Sequence, residues 1–274
     1  RSIANMAIRR QRTRRLFVTG GTGFLGRHIV NGPASEGWDV IAPGSSALDL
    51  RMRDSVIRMV HDWKPAAIIH TAYRKGDRST IVDASRHVAD AAVAVGARLV
   101  HVSSDALFAG RDEPYTELDP PSPVHDYGRD KADAERAVAG ADPSAVIVRT
   151  SLIYGTDQLS GHELAVREAV SGGSDMAFFT DEIRCPVLAG DLASALVDLS
   201  RAPEIAGVLH LGGPDALSRA DLARITAERH GWDVARLRFS TIAESGLSRP
   251  ARVVLDSQLA RSHGLGVRGP ADRM

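Results

Sequence analysis

Short apolar runs alternate along the chain with longer segments in which apolar residues recur at helical spacing. Strands are predicted at residues 16–18, 39–42, 66–70, 98–103 and 145–149, and helices at 24–30, 54–63, 84–95 and 127–139. Strands that alternate with helices of this length are typical of a parallel sheet covered by helices on both faces. We therefore predict an α/β fold with a doubly wound parallel sheet.

The alternation becomes less regular after residue 155, which indicates a change of domain. Helices are predicted there at 162–170 and 191–199, a strand at 208–211, and a further helix from the potential cap Ser218 to residue 230. We expect residues 15–155 to form the larger domain. Residues 156–274 would form a smaller one, of which about 187–212 return to the first domain.

The first 14 residues hold a cluster of arginines and no acidic residue. Such a segment could be a transit peptide or an arm that binds nucleic acid. Because the chain begins with Arg1 and its first methionine is Met6, we interpret the segment as a basic lead-in or the remnant of a tag. It is therefore left out of the fold prediction.

A glycine-rich turn joins the first predicted strand to the first helix, with Gly20, Gly23 and Gly26 at every third position. Glycines at such a junction let the backbone approach a pyrophosphate and direct a helix N-terminus towards it. Because the preceding strand and the following helix provide the context that this motif requires, the turn predicts a Rossmann dinucleotide-binding domain.

The segment after the second strand bears on the choice of dinucleotide. An acidic residue there would bind the adenosine ribose hydroxyl of NAD, but the chain reads Ala-Pro-Gly-Ser-Ser at residues 42–46. Ser45 and Ser46 could donate to the additional phosphate of NADP, and Arg27 could either supply charge there or be a solvated helix residue. We expect NADP, with NAD as the alternative.

Tyr127 and Lys131 are four residues apart on a predicted helix, so their side chains lie on one face. A nearby ammonium stabilises a phenolate, and we expect Lys131 to lower the pKa of Tyr127 and make it a usable proton donor. Ser104 lies where the preceding strand ends, at the sheet edge that binds ligands in α/β proteins. It could bind the same substrate oxygen as Tyr127.

Composition excludes several functional classes. Lys plus Arg and Asp plus Glu each number 34, so no net field favours nucleic acid or an anionic membrane, and no apolar run is long enough to span a bilayer. Signatures of serine hydrolases, nucleotide triphosphatases and nucleic-acid binders are absent. We expect a cytoplasmic enzyme, because the single cysteine, Cys185, cannot form an internal disulfide.

The remaining polar residues carry weaker signals for a site. His70, His101 and His210 fall near strand ends without the spacing of a metal site, so no metal is expected. Glu182 and Arg184, with Asp181, could contact a substrate or form a solvated turn.

Several segments together resemble the extended short-chain dehydrogenase/reductase superfamily, and within it the dTDP-4-dehydrorhamnose reductase group. They are VTGGTGFLG, LDL, HTAY, VSSDALFAG, PYTELDPPSPVHDYGRDKADAE, VRTSLIYG, AGDLA and SRPARVVLDSQLA. The resemblance covers residues 16 to about 266. It implies that hydride passes from the nicotinamide to the keto carbon of a dTDP-4-keto-6-deoxy sugar while a tyrosine protonates the oxygen.

The resemblance also implies roles for individual residues. The pyrophosphate would be held by Gly20, Thr22, Gly23, Phe24, Leu25 and Gly26, the adenine by Asp49 and Leu50, and the cofactor channel would be lined by Thr71, Ala72 and Tyr73. Ser104, Tyr127 and Lys131 would be catalytic, with Tyr127 and Lys131 also contacting the cofactor. Ser104, Asp105, Leu152 and Arg249 would contact the substrate.

The chain departs from this group at several positions. Ala106 and Leu152 stand where the group usually has a tyrosine and a tryptophan, which predicts a sugar pocket of different shape. Asp83 stands where an asparagine often relays protons, and Asp130 changes the charge beside Lys131.

Two other functions are compatible with the same residues. One is an epimerase or dehydratase of this superfamily that uses NAD catalytically. The other is a non-catalytic, cofactor-binding subunit similar to the β-subunit of methionine adenosyltransferase. The expected partner is a small nucleotide sugar, and a homodimer is the default oligomer for such folds.

Overall fold

The computed structural model describes residues 14–156 and 158–270, and a parallel sheet lies at its centre. The strands are β1 (Arg14–Thr19), β2 (Trp38–Ile41), β3 (Ala67–His70), β4 (Arg98–Ser104), β5 (Val146–Thr150), β6 (Ile153–Tyr154), β7 (Ala177–Phe179), β8 (Ile183–Arg184), β9 (Val187–Leu188), β10 (Gly207–Leu211), β11 (Leu217–Ser218) and β12 (Arg238–Ser240). The central sheet has six strands in the order β10-β5-β4-β3-β1-β2. Every neighbouring pair in it is parallel.

Helices cover both faces of this sheet. They are α1 (Phe24–Asn31), α2 (Arg53–Trp63), α3 (Ala84–Val95), α4 (Asp126–Ala141), α5 (Gly161–Ser171), α6 (Ala189–Leu199), α7 (Arg219–Arg229), α8 (Ile242–Ser245) and α9 (Gln258–Ser262). Leu16 and Val18 of β1 pack in a core with α1 and α6, whereas Phe17 packs on the opposite face with α2, α3 and α4. This alternation follows from the period of two along a strand.

The architecture confirms the predicted α/β fold with a Rossmann-type sheet. Element bounds differ from the prediction by one or two residues in most cases; the helix predicted at 127–139, for example, runs from Asp126 to Ala141. The predicted lead-in ends one residue too late, since Arg14 belongs to β1 and pairs with Trp38 of β2 in parallel. The rest of the lead-in, residues 1–13, lies outside the described residues.

The later part of the chain returns to this sheet and also builds smaller elements. β10 pairs with β5 along its whole length, from Gly207 opposite Val146 to Leu211 opposite Thr150. The short pairs β6 with β9, β7 with β12 and β8 with β11 lie outside the central sheet. A separate core joins α5 and α7 around Phe178. The division into domains at residue 155 stays a prediction.

Within the two described ranges, no helix combines the length and the apolar character that crossing a membrane requires.

Candidate active site

A cavity of about 1110 Å³ runs along the carboxyl ends of the central strands. It is lined by Thr19 at the end of β1, Thr71 just after β3, Ser104 at the end of β4 and Thr150 at the end of β5. Most candidate site residues from the sequence line it, namely Gly20, Thr22, Gly23, Phe24, Leu25, Gly26, Ser45, Asp49, Leu50, Thr71, Ala72, Tyr73, Ser104, Asp105, Tyr127, Lys131, Leu152 and Arg249, whereas Arg27, Ser46 and Asp181 are not among the described lining residues. One cavity therefore joins the predicted cofactor and substrate residues.

The glycine turn leaves the start of α1 open to the cavity. Gly23 precedes the helix and provides no side-chain cap, so the first backbone N–H groups of α1 are available to a ligand. A Cβ atom at Gly26 would collide with the carbonyl oxygen of Gly20. A side chain at this position would therefore push α1 away from β1 and deform the turn. These features fit the pyrophosphate of a dinucleotide.

A chain of hydrogen bonds fixes the next part of the wall. Ser85 donates to the carbonyl oxygen of Ile81 at 2.6 Å, so its hydroxyl accepts from Nε2 of His70, 3.0 Å away. The other ring nitrogen of His70 then accepts from Thr19 Oγ1 at 2.6 Å. Burial lowers the pKa of His70 to about 3 and keeps the ring neutral. These hydrogen bonds join the ends of β1 and β3 to the start of α3, so the role of His70 is structural.

The adenosine end of the predicted cofactor site contains an arginine that the sequence analysis did not single out. Arg51 donates to both carboxylate oxygens of Asp49, with Nε at 2.9 Å and Nη2 at 2.7 Å. These hydrogen bonds lower the pKa of Asp49 to about 2. Ser45 is exposed at this end of the cavity, whereas Arg27 is exposed on α1 and is not among the described lining residues.

Close packing brings α4 to the end of β4. A Cβ atom at Gly128 would collide with the carbonyl oxygen of Ala106, so the first turn of α4 lies directly on the backbone that follows Ser104. His125 caps this helix by accepting from the N–H of Gly128 at 3.0 Å, and its ring also lines the cavity. The sequence analysis missed His125, because it lies two residues before the predicted helix start at Tyr127 and is not one of the usual capping residues.

Tyr127 and Lys131 lie in the cavity beside Ser104, one turn apart on α4. Lys131 is 4% exposed, and burial lowers its pKa to about 8. Burial and the neighbouring Tyr73 raise the pKa of Tyr127, and a hydrogen bond with Ser104 partly opposes that rise. The expected lowering by Lys131 is therefore wrong for this structure. The Lys131 ammonium instead donates to the carbonyl oxygen of Val102 at 2.8 Å.

The end of the cavity that is predicted to bind substrate is rich in charge. Arg249 binds Glu182 through two hydrogen bonds, with Nε at 2.5 Å and Nη2 at 3.0 Å. Burial alone would raise the pKa of Glu182, but the hydrogen bonds from Arg249 and the charge of Arg184 outweigh it and lower that pKa. Arg219 also lines this end. The sequence analysis did not predict Arg219 as a site residue, because nothing at the first position of α7 indicates a binding site.

Asp105 links this charged end to the centre of the cavity. Its Oδ2 accepts from Ser151 Oγ at 2.7 Å and lies 3.7 Å from Arg184 Nε. Burial raises the pKa of Asp105, against the effects of Arg184 and Ser151. Asp181, weighed from the sequence with Glu182 and Arg184, points elsewhere and accepts from the N–H of Ile242 at 2.9 Å.

Comparison with known proteins identifies the family. The model described as RmlD substrate binding domain matches residues 14–268. The chain belongs to this family. It is 33% identical over 264 residues to dTDP-4-dehydrorhamnose reductase of Mycolicibacterium smegmatis, covering 92% of this chain and 80% of that protein. It is also 29% identical over 285 residues to methionine adenosyltransferase 2 subunit beta of Rattus norvegicus, covering 94% and 85%.

The RmlD family relationship extends to three dimensions. A crystal structure of dTDP-4-dehydrorhamnose reductase from Bacillus anthracis in complex with NADP superposes with a TM-score of 0.86 at 26% identity, covering 95% of this chain and 96% of that one. The resemblance to the extended short-chain dehydrogenase/reductase superfamily is thereby confirmed.

Two residues of this RmlD family member lack the aromatic rings that its relatives usually have, and both lie at the cavity. Ala106 and Leu152 both line it, near Ser104 and Ser151. Asp83 ends a π-helical turn, Ser79–Asp83, and is not among the described residues at the cavity. Among the described residues, no three His, Cys, Asp or Glu side chains form a group that could hold a metal ion.

Proposed function

We propose that the protein is an NADPH-dependent reductase of the keto group of a nucleotide-activated sugar, of the dTDP-4-dehydrorhamnose reductase type. The observation that carries the proposal is the single cavity in which the open N-terminus of α1, the set Ser104, Tyr127 and Lys131, and the charged end around Arg249 follow one another. Proteins named dTDP-4-dehydrorhamnose reductase align with more than nine-tenths of the chain, and one of their crystal structures contains NADP.

The proposed cofactor contacts follow the lining of the cavity. The glycine turn holds the pyrophosphate through backbone N–H groups, while Ser45, Asp49 and Leu50 surround the adenosine. Thr71, Ala72 and Tyr73 line the passage towards Tyr127. NADPH supplies a hydride to the keto carbon when it is bound.

The protein's own groups handle the proton. Ser104 donates a hydrogen bond to the keto oxygen and holds it against Tyr127, whose raised pKa keeps the phenol protonated at neutral pH. The phenol then gives its proton to that oxygen as negative charge develops on it. Lys131, held by Val102, places a positive charge beside Tyr127 and the predicted position of the nicotinamide ribose. Asp105, Leu152 and Arg249 contact the sugar nucleotide.

Turnover with dTDP-4-dehydrorhamnose tests this proposal. Oxidation of NADPH and of NADH is followed by absorbance for the wild type, Tyr127→Phe and Ser104→Ala. We expect turnover with NADPH and a loss of about 100-fold or more in Tyr127→Phe, the usual size of a general acid's contribution. Urea unfolding of each variant, compared with that of the wild type, serves as the control that the variant is folded. No turnover by a wild type that binds NADPH would refute the assigned reaction.

A non-catalytic role is the second candidate, favoured by the 29% identity to methionine adenosyltransferase 2 subunit beta over 94% of the chain. A stable complex with a methionine adenosyltransferase, unaffected by Tyr127→Phe, would support it. The third function considered from the sequence, an NAD-dependent epimerase or dehydratase, would be revealed by NAD retained through purification. The homodimer and the cytoplasmic location stay predictions.

A further inference from the structure

Arg219 is a residue of the cavity wall to which the proposed reduction gives no role. It is the first residue of α7, directly after the capping residue Ser218, and it lines the charged end of the cavity. Its backbone N–H donates to the carbonyl oxygen of Glu182 at 2.9 Å, which fixes the start of α7 beside that segment.

The charges around Arg219 do not balance. Three guanidinium groups, from Arg184, Arg219 and Arg249, share this end of the cavity with the carboxylates of Asp105 and Glu182. Two negative charges against three positive ones leave one positive charge in excess. An anionic ligand would neutralise it.

The two carboxylates are already engaged by the other two arginines. Glu182 receives both hydrogen bonds from Arg249 and lies 3.5 Å from Arg184 Nη2. Asp105 lies 3.7 Å from Arg184 Nε. Arg184 is further held by the carbonyl oxygen of Pro250 at 2.8 Å. Arg184 and Arg249 therefore already have carboxylate counterions, and the excess charge resides on Arg219.

The side chain of Arg219 makes no hydrogen bond or ion pair with any residue in 14–156 or 158–270. Burial lowers its pKa, because removing a guanidinium from water without a partner is unfavourable. The position adds a second cost, since the positive end of the helix dipole repels a cation in the first turn. Both costs are relieved when an anion binds.

We propose that Arg219 binds a phosphate of the diphosphate that joins nucleotide to sugar, and that this contact selects ligands carrying a diphosphate. The proposal rests on the proposed function, which places the keto group at Ser104 and Tyr127. Arg219 is close enough to Asp105, the residue after Ser104, for the two charges to interact. A guanidinium can bind two phosphate oxygens at once, which makes arginine well suited to this ligand.

Calorimetric titration tests the contact without turnover. Wild-type protein is titrated with dTDP, UDP, GDP and CDP, and with the nucleoside of the diphosphate that binds most tightly. In Arg219→Gln we expect the Kd for that diphosphate to rise by about 10- to 100-fold, the effect of losing a charge-assisted hydrogen bond. The Kd for the nucleoside and for NADPH should not change. Arg219→Lys, which keeps the charge, should retain part of the affinity.

Arg224→Gln is the matched control on the same helix. Arg224 pairs with Asp221 at 3.0 Å and is not among the described residues that line the cavity, so its loss should leave the diphosphate Kd unchanged. An unchanged diphosphate Kd in Arg219→Gln, or an equal weakening of the nucleoside, would overturn the role of Arg219.

The same titrations separate this inference from the proposed function. Tightest binding of a diphosphate other than dTDP, weakened in Arg219→Gln, would support the role of Arg219 and correct the substrate. Binding of NADPH without binding of any nucleoside diphosphate would overturn both.

Discussion

Lys131 and Val102 are joined by a 2.8 Å hydrogen bond from the lysine ammonium to the backbone carbonyl oxygen. Val102 lies two residues before Ser104 on β4, whereas Lys131 lies one turn after Tyr127 on α4. This contact therefore ties the helix that carries the proposed acid to the strand that carries the proposed hydroxyl. It also holds a charged group in a buried place, which gives the site a dependence on pH.

The rate of reduction should fall as pH rises through about 8. Burial lowers the pKa of Lys131 to about 8, so the ammonium becomes neutral above that pH. Tyr127 stays protonated over the same range, because burial raises its pKa. The measurement is kcat/KM for NADPH from neutral to alkaline pH, since this ratio reports the free enzyme. A profile that stays level through this range would contradict the assigned role of Lys131.

The same ionisation should be visible in stability. The pKa of Lys131 is lower in the folded protein than the ordinary value of 10.5, so between the two values the unfolded chain binds more protons. Burial of the charged ammonium therefore lowers the free energy of unfolding by its full amount below about pH 8. The free energy of unfolding then increases as pH rises from about 8 towards 10.5. Urea unfolding of the wild type and Lys131→Met should show a difference that changes over this interval and is constant below it.

Ser45→Asp should weaken the binding of NADPH selectively. Ser45 lines the adenosine end of the cavity, and a carboxylate there would repel the additional phosphate of NADP. We expect the Kd for NADPH to rise about tenfold or more, as for about 1.4 kcal/mol of repulsion, while the Kd for NADH does not rise. Ser46→Asp places the same charge on an exposed neighbour that is not among the described lining residues, and it is the control. Equal effects in the two variants would exclude a specific phosphate contact at Ser45.

Gly26→Ala should damage both stability and cofactor binding. The added methyl group collides with the backbone of Gly20, and the resulting shift should cost about 1–3 kcal/mol of unfolding free energy. Gly140→Ala is the matched control in α4, where a Cβ atom meets no neighbour within 4 Å. That variant should gain up to about 1 kcal/mol from helix propensity. Urea unfolding and NADPH titration of both variants measure the difference, and normal NADPH affinity in Gly26→Ala would contradict the proposed pyrophosphate site.

Glu135 and Arg149 form a buried ion pair that joins α4 to β5, with Nη2 2.8 Å from Oε2. The two side chains are 7% and 4% exposed. Arg149→Met should lower the free energy of unfolding by about 3–5 kcal/mol, because it leaves a buried carboxylate without its partner. The double variant Glu135→Met, Arg149→Met should recover most of that loss in urea unfolding. A double variant less stable than the single one would show that the pair stabilises the fold beyond cancelling charge.

The parts of the site that follow from local pattern were predictable from the sequence. The glycine turn between β1 and α1 depends on residues within one junction, and the position of Tyr127 and Lys131 on one face of α4 depends on helical spacing. Both patterns put their residues at the cavity. The order of strands and helices was equally readable, because apolar periodicity is a local property.

The parts that depend on contacts distant in sequence were not predictable. The pKa of Tyr127 rises because Tyr73 and burial act on it, and Lys131 is directed to Val102 by packing between α4 and β4. The charged end of the cavity likewise brings together Arg219, Glu182 and Arg249, which come from three separate segments of the chain. The spacing of residues along the chain does not indicate which distant residues come into contact in the fold.

Transfer of hydride to the sugar is tested most directly with NADPH that carries deuterium at both hydrogen positions of the reducing carbon of its nicotinamide. The wild type is incubated with this cofactor and dTDP-4-dehydrorhamnose, and the sugar product is analysed by mass spectrometry, with Tyr127→Phe alongside. We expect one deuterium on the reduced carbon with the wild type and almost none with a variant that still binds the cofactor. Unlabelled product, or label formed equally fast without the Tyr127 hydroxyl, would contradict the proposed reduction.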